Sequence, residues 1–202
     1  SIIVFALPYR QEPYPAPSES HGRVSQYAWG RDYHRVLGSK LKRIKSFLQE
    51  RYPKEAFKCY VDATPLEERY YAMRACVGAV ARNGLLVTKE YGSYVFLGEI
   101  LATLPFESTE NKTGSASPCP PRCRRCIEAC PTGALQENGP LKAWRCISYL
   151  TIENKGPIQT ELRECLGNWI FGCDICQEVC PLNARSELTK EKDFLKWRAG
   201  PF

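Results

Sequence analysis

Cys119-Pro-Pro-Arg-Cys123-Arg-Arg-Cys126-Ile-Glu-Ala-Cys130-Pro131 is answered fifty residues later by Cys173-Asp-Ile-Cys176-Gln-Glu-Val-Cys180-Pro181. Each run repeats the spacing Cys-x2-Cys-x3-Cys-Pro, and each cysteine of Cys123, Cys126 and Cys130 has a counterpart in the second run. Cys119 ahead of the first run and Cys146 between the two bring the thiols to eight, or two sets of four.

Two sets of four thiolates are the ligand inventory of two [4Fe-4S] clusters. Three cysteines on one short loop wrap one face of a cubane, and in two-cluster ferredoxins the cysteine before proline binds the other cluster. The first cluster then takes Cys119, Cys123, Cys126 and Cys180, and the second takes Cys130, Cys146, Cys173 and Cys176. The gap from Cys119 to Cys123 holds three residues where the bacterial run has two, which a one-residue bulge accommodates. Two other uses of cysteine were weighed. A disulfide framework belongs to short secreted chains, whereas this one has 202 residues and enough apolar content for a core. Zinc sites arise from CxxC pairs but do not need a Cys-Pro tail, which occurs here twice. The remaining thiols, Cys59, Cys76 and Cys165, are expected in core or half-buried positions.

The formal charge of +6 counts neutral cysteines. Two cubanes of about −2 each would bring it to about +2. Basic residues gather at Arg35, Lys40, Lys42, Arg43 and Lys45, and again at Arg122, Arg124 and Arg125. Such runs are more often solvated faces than nucleic-acid sites, so the charge permits an RNA partner without demonstrating one. No run of eighteen apolar residues exists, so no membrane span is expected.

Upstream of the cysteines, Ser1 to Leu7 reads as a buried strand. From Asp32 to Tyr52 the apolar residues Val36, Leu37, Leu41, Ile44, Phe47 and Leu48 recur at helical steps, and Pro53 ends the helix. Phe57, Cys59 and Val61 alternate with polar neighbours as a strand leading to Asp62. Thr64-Pro65-Leu66-Glu67 carries a capping box, predicting a helix to about Val77. Leu85 to Thr88 and Tyr94 to Leu104 are predicted to pair as a hairpin about Tyr91-Gly92-Ser93. Glu107 to Pro118 is a polar linker, and its Asn111-x-Thr113 sequon is expected to be idle in an intracellular protein. These alternating elements indicate an α/β or α+β layer domain.

Several segments then resemble one family, epoxyqueuosine reductase, the cobalamin-dependent iron-sulfur enzyme of queuosine biosynthesis in tRNA. They are Gly30-Arg31-Asp32-Tyr33-His34, Asp62-Ala63-Thr64-Pro65 with Glu68-Arg69, and Gly92-Ser93 through Phe96-Leu97-Gly98-Glu99. Arg145-Cys146-Ile147-Ser148-Tyr149-Leu150-Thr151-Ile152-Glu153 and Gly167-Asn168 through Cys180-Pro181-x-Asn183 continue the match. The resemblance implies an α+β protein in which residues 1–112 form a nitroreductase-like domain for base-off cobalamin, incomplete at its N-terminus relative to the family. Residues 113–185 would be the two-cluster ferredoxin-like domain and 186–202 a C-terminal tail.

It also implies a cytoplasmic enzyme, a monomer fed by an external low-potential electron donor, that removes the epoxide oxygen of epoxyqueuosine in a tRNA anticodon stem-loop. Asp62 matches the family's acidic proton donor, Tyr33 and His34 line its pocket, and Arg69 binds a phosphate or fixes substrate. A protonated donor at Asp62 is expected to be buried beside the corrin, which raises a carboxyl's pKa. The chain departs from the family at 76–83, where Cys76 and Ala81 replace glycines and Ala79 a tryptophan. Two other functions remain in view, a dicluster ferredoxin-type electron carrier and a corrinoid reductive dehalogenase, whose relatives use a tyrosine where this chain has Asp62.

Overall fold

The computed structural model describes residues 1–12, 21–62, 66–107 and 117–196. The Thr64-Pro65 helix start, the Asn111 sequon and the expected boundary at 112–113 lie outside the described residues.

β1 (Ile2–Pro8) is the expected first strand, followed by the two-residue β2 (Arg23–Val24). α1 (Tyr33–Arg51) starts where Asp32, its N-cap, accepts the His34 N–H at 2.9 Å. β3 (Phe57–Tyr60), α2 (Glu68–Arg74), β4 (Ala79–Val80), β5 (Leu86–Val87) and β6 (Val95–Ala102) complete the first half. β6 lies between β1 and β3 and runs antiparallel to both, with Val4 and Tyr60 flanking Glu99. An antiparallel sheet covered by helices is an α+β layer.

The predicted hairpin is corrected. Leu86 and Val87 pair with Ala79 and Val80, not with β6, and only a single bridge from Thr88 to Gly92 marks the turn. The turn residues were read correctly, but β6 finds more apolar surface to cover between β1 and β3 than beside a two-residue strand.

α1 lays Val36, Leu37 and Leu41 on the sheet against Phe57, Phe96, Ile100 and Ala102. Gly98 is what lets it settle, since a Cβ there would stand 2.9 Å from Leu37 Cδ2. Phe194 joins the same core, 2 % exposed, with its ring centroid 5.3 Å from that of Phe96. Residues 186–196, expected as part of a tail, are a packed arm: Thr189 Oγ1 donates to Pro8 O at 2.7 Å and Lys40 meets Glu191 at 2.6 Å. Of the three leftover cysteines, Cys59 and Cys165 are half-buried, whereas Cys76 is exposed, contrary to expectation, because a left-handed turn (φ 58°) lifts it off the protein at the end of α2.

The second half holds α3 (Arg125–Glu128), α4 (Ile147–Ile152), α5 (Thr160–Arg163), β7 (Trp169–Phe171) and α6 (Ile175–Glu178). α3 and α6 occupy equivalent places in the two cysteine runs and pack on each other. β7 pairs in parallel with β2, tying this half to the first. No described helix is long and apolar enough to cross a membrane.

Leu41 has no exposed surface. Leu41→Ala is expected to cost roughly 2–5 kcal/mol of stability, read as a lower denaturant midpoint at unchanged slope.

Candidate functional site

The eight expected cluster cysteines separate in space into two groups. Cys126 feels the charges of Cys119 and Cys180, and Cys180 those of Cys119 and Cys123. Cys173 feels Cys146 and Cys130, and Cys176 feels Cys173 and Cys146. These are the two sets that the cysteine spacing pairs. Cys126 also acts on Cys176, so the sets adjoin where α3 meets α6. A small cleft in the first set is lined by Ala81, Arg82, Cys119, Cys123, Cys126 and Cys180. Cys119, despite its longer spacer, therefore stands with the other three.

Among the described residues no three His, Cys, Asp or Glu side chains converge closely enough to hold one metal ion. Thiolates around a single zinc ion must all lie about 2.3 Å from one point. A cubane spreads its four ligands over the corners of a larger body. The backbone supplies the hydrogen bonds that sulfur needs. Burial opposes ionisation of Cys130, yet the N–H groups of Leu135, Ala134 and Thr132 and the Thr132 hydroxyl, 3.6 Å away, outweigh it and lower its pKa. Burial first, then the charges of Asp174 and of neighbouring thiols, push Cys173 and Cys176 up to about 12, so loading must displace protons.

A network of buried polar side chains holds this cysteine-bearing half against the sheet. Asp174 accepts from Ser25 Oγ at 2.5 Å, from Gln26 N–H at 2.7 Å and from Gln177 Nε2 at 3.0 Å. Gln177 Oε1 accepts from Ser93 Oγ at 2.9 Å, and Asn183 accepts the Ser93 N–H at 2.8 Å while donating to Ser93 Oγ at 2.8 Å. Desolvation nevertheless wins at Asp174 and raises its pKa. None of these residues carried a role in the sequence reading. The signal was present as polar side chains between cysteines of a loop otherwise committed to them.

On the sheet side, Tyr33 and His34 converge on Asp62. Tyr33 Oη donates to Asp62 Oδ2, and His34 Nε2 stands 3.8 Å from the same oxygen. The Tyr33 ring is clamped between Phe96 (centroids 4.2 Å, planes 2° apart) and His34 (4.0 Å). Burial and then Asp62 raise the Tyr33 pKa far above its ordinary value, so the phenol keeps its proton and donates. His34 is oriented from the other side, with Nδ1 2.9 Å from Asp32 Oδ1. Desolvation raises the Asp32 carboxyl, but the hydrogen bonds from His34 outweigh it and leave its pKa lowered.

Asp62 itself has a left-handed backbone (φ 45°) and a side chain 61 % exposed. The protein alone does not bury it as expected. Its N–H donates to Glu68 Oε1 at 3.0 Å. Arg69 stands apart from this group, for its guanidinium donates to Gly84 O at the turn after β4. That turn leads to the cysteines: Arg82 N–H donates to Cys119 Sγ at 3.3 Å. The divergent segment 76–83 thus runs from the end of α2, the helix that follows Asp62, to the first thiol set.

The comparisons fall on the same two halves. Residues 1–63 match the epoxyqueuosine reductase QueG family (DUF1730), and residues 119–183 match the 4Fe-4S double cluster binding domain. An epoxyqueuosine reductase from Synechocystis sp. is 40 % identical over 96 % of this chain and 66 % of its own length. The chain belongs to the epoxyqueuosine reductase family. Among solved structures, an epoxyqueuosine reductase with an epoxyqueuosine-modified tRNA-Tyr stem loop superposes with a TM-score of 0.83 and 38 % identity, covering 96 % of this chain and 50 % of that one. An epoxyqueuosine reductase from Bacillus subtilis, with a catalytic aspartate loop swung out of the active site, gives 0.82 and 37 %, covering 96 % and 50 %. The chain therefore spans about half to two thirds of the length of these family members.

The pairing of thiols has a direct test. With Cys130 and Cys146 expected on one cubane, Cys130→Ala, Cys146→Ala and the double variant should each bind about half the iron and sulfide of the parent. Cys119→Ala combined with Cys146→Ala should lose both clusters, as measured by iron and sulfide analysis after anaerobic reconstitution.

Proposed function

We propose that this chain carries the catalytic half of an epoxyqueuosine reductase, which deoxygenates epoxyqueuosine to queuosine in a tRNA anticodon stem-loop, with Asp62 as proton donor. The observation that carries the reading is the convergence of Tyr33 and His34 on one Asp62 oxygen at the end of β3. One hydroxyl donor clamped by rings and one imidazole nearby, itself held by Asp32, orient the carboxyl from which a proton would be delivered. The free Asp62 surface is where a ligand can approach. A ligand that displaces water there supplies the burial that the protein leaves out.

Cobalamin, as the family implies, would sit against this nitroreductase-like layer, with Tyr33, His34, Asp62 and segment 76–83 as the residues of this chain that hold it. The fit is supported by the exposed Asp62 carboxyl, by the half-buried small residues Gly78 and Ala79, and by Cys119 at the segment's far end. When bound, a corrinoid supplies the two-electron reduction of the epoxide. The chain's own tasks are to orient the substrate, to give the opened oxygen a proton, and to hold side by side, on adjacent thiol sets, the clusters that would pass electrons inward. Those electrons come from an external low-potential donor, and the ligand sets are Cys119, Cys123, Cys126 and Cys180, and Cys130, Cys146, Cys173 and Cys176.

A left-handed backbone at Asp62 places the proposed donor at a turn, and the Bacillus subtilis relative has its catalytic aspartate loop swung out of the active site. Arg69 is better read as a brace on the Gly84 turn than as a phosphate ligand.

Asp62→Asn keeps the shape of the side chain and removes the acid. It is expected to lower turnover of an epoxyqueuosine-bearing stem-loop by roughly 10²–10⁴-fold while leaving cluster content unchanged. Undiminished turnover would remove Asp62 from the role, and a reconstituted chain that takes up no cobalamin would leave an electron carrier.

A further inference from the structure

Side chains along β6 alternate between two faces. Phe96, Ile100 and Ala102 enter the α1 core, and a Cβ on Gly98 would point at Leu37. Glu99 therefore faces the opposite side of the sheet, where α2 packs. It has no exposed surface, and neither carboxyl oxygen receives a hydrogen bond from a described donor. The group it meets is the carboxyl of Glu68 on α2. Glu68 Oε1 in turn holds the Asp62 N–H.

The counter-charge around the pair is weak, and Arg69 on α2 supplies it. Tyr60 stands opposite Glu99 on β3, with the Lys58 ammonium 4.9 Å over its ring, and β1 contributes Val4. The Arg69 guanidinium, which donates to Gly84 O, favours the ionised form of Glu68, but the negative charge of Asp62 opposes it more strongly. Among the described residues no salt bridge reaches either carboxyl. Two carboxyl groups in contact in a dry place cannot both be ionised, so one proton stays with the pair.

We propose that Glu99 and Glu68 share one proton, and that this proton pins the left-handed backbone of Asp62, making Glu99 a positioning residue for the donor in the function proposed above. A protonated Glu99 donates to Glu68 and fixes the oxygen on which the Asp62 N–H rests. An ionised Glu99 repels Glu68 and releases it. Burial first and the facing Glu68 second push Glu99 up to about 8, from an ordinary value of 4.5. Its folded value lies above its unfolded one, so its stabilising contribution is complete below about 4.5 and fades as pH rises through about 8.

Infrared spectroscopy of the intact chain reads the carbonyl band of a protonated carboxylic acid, and hydrogen exchange reads the Asp62 amide. At neutral pH the acid band should be present in the parent and in Asp62→Asn and be lost in Glu99→Gln. Protection of the Asp62 amide, corrected for intrinsic exchange, should fall in the parent as pH passes about 8 and stay level in Glu99→Gln. Thermal stability of Glu99→Gln relative to the parent should rise between pH 4.5 and about 8. If that variant does not fold, Glu68→Gln serves instead: without the facing carboxylate, the Glu99 titration should move to lower pH. An ionised Glu99 at neutral pH, or Asp62 protection indifferent to pH across the window, overturns the proposal. None of these readouts uses turnover. A chain that shows all of them yet leaves epoxyqueuosine unreacted refutes the reductase reading and keeps the pin.

Discussion

A set of buried amides and hydroxyls around one carboxylate, Asp174, joins the two halves of the molecule beside the β2–β7 pairing and the Phe194 contact. Asp174, Gln177 and Asn183 stand among the cysteines of the second run, and their partners Ser25, Gln26 and Ser93 belong to the first half. Polar groups this deep are tolerated only when their bonds are made, and leaving one unmatched costs about 1–3 kcal/mol. Such a network is therefore satisfied in one arrangement and penalised in the rest. It fixes how the thiol sets stand relative to the sheet that carries Asp62. Gly92 belongs to the same joint, because its positive φ (57°) and missing side chain let Asn183 reach the Ser93 N–H.

Two carboxyl groups at adjacent strands of the sheet receive opposite treatment. Asp62 is left open at a strand end, whereas Glu99, on the neighbouring strand, is sealed under α2. Glu68 lies between them, in contact with the backbone of one and the carboxyl of the other. The arrangement separates a group that must meet a ligand from a group whose surroundings are set by the fold, and connects them through a single intermediate side chain.

Much of this was legible in the sequence wherever a local rule had several residues to act on. α1 showed itself through Val36, Leu37, Leu41 and Ile44 at helical spacing, β1 and β3 through short apolar or alternating runs, and the thiol sets through repeated spacing. The hairpin failed because alternation identifies a strand and not its partner, and β6 pairs with segments far away in sequence. β2, β4 and β5 are two residues long, too short for any periodicity. Glu99 was visible as a lone acid in an apolar strand, but its meaning depends on which face α2 covers. Phe194 gave no sign of belonging to a core built almost entirely from residues before Ala102.

That last position has a bearing on how the chain is made. A nascent chain emerging from the ribosome presents β1, α1, β3 and β6 together long before Phe194 can reach them. The core is thus complete only after both cysteine runs have been synthesised, since Cys180 precedes the arm that brings Phe194 home. Contacts of such long sequence separation close late in folding. An open interval follows in which all eight thiols are available while the first half is still unsealed. The last of the eight thiols is thus synthesised before the residue that completes the core.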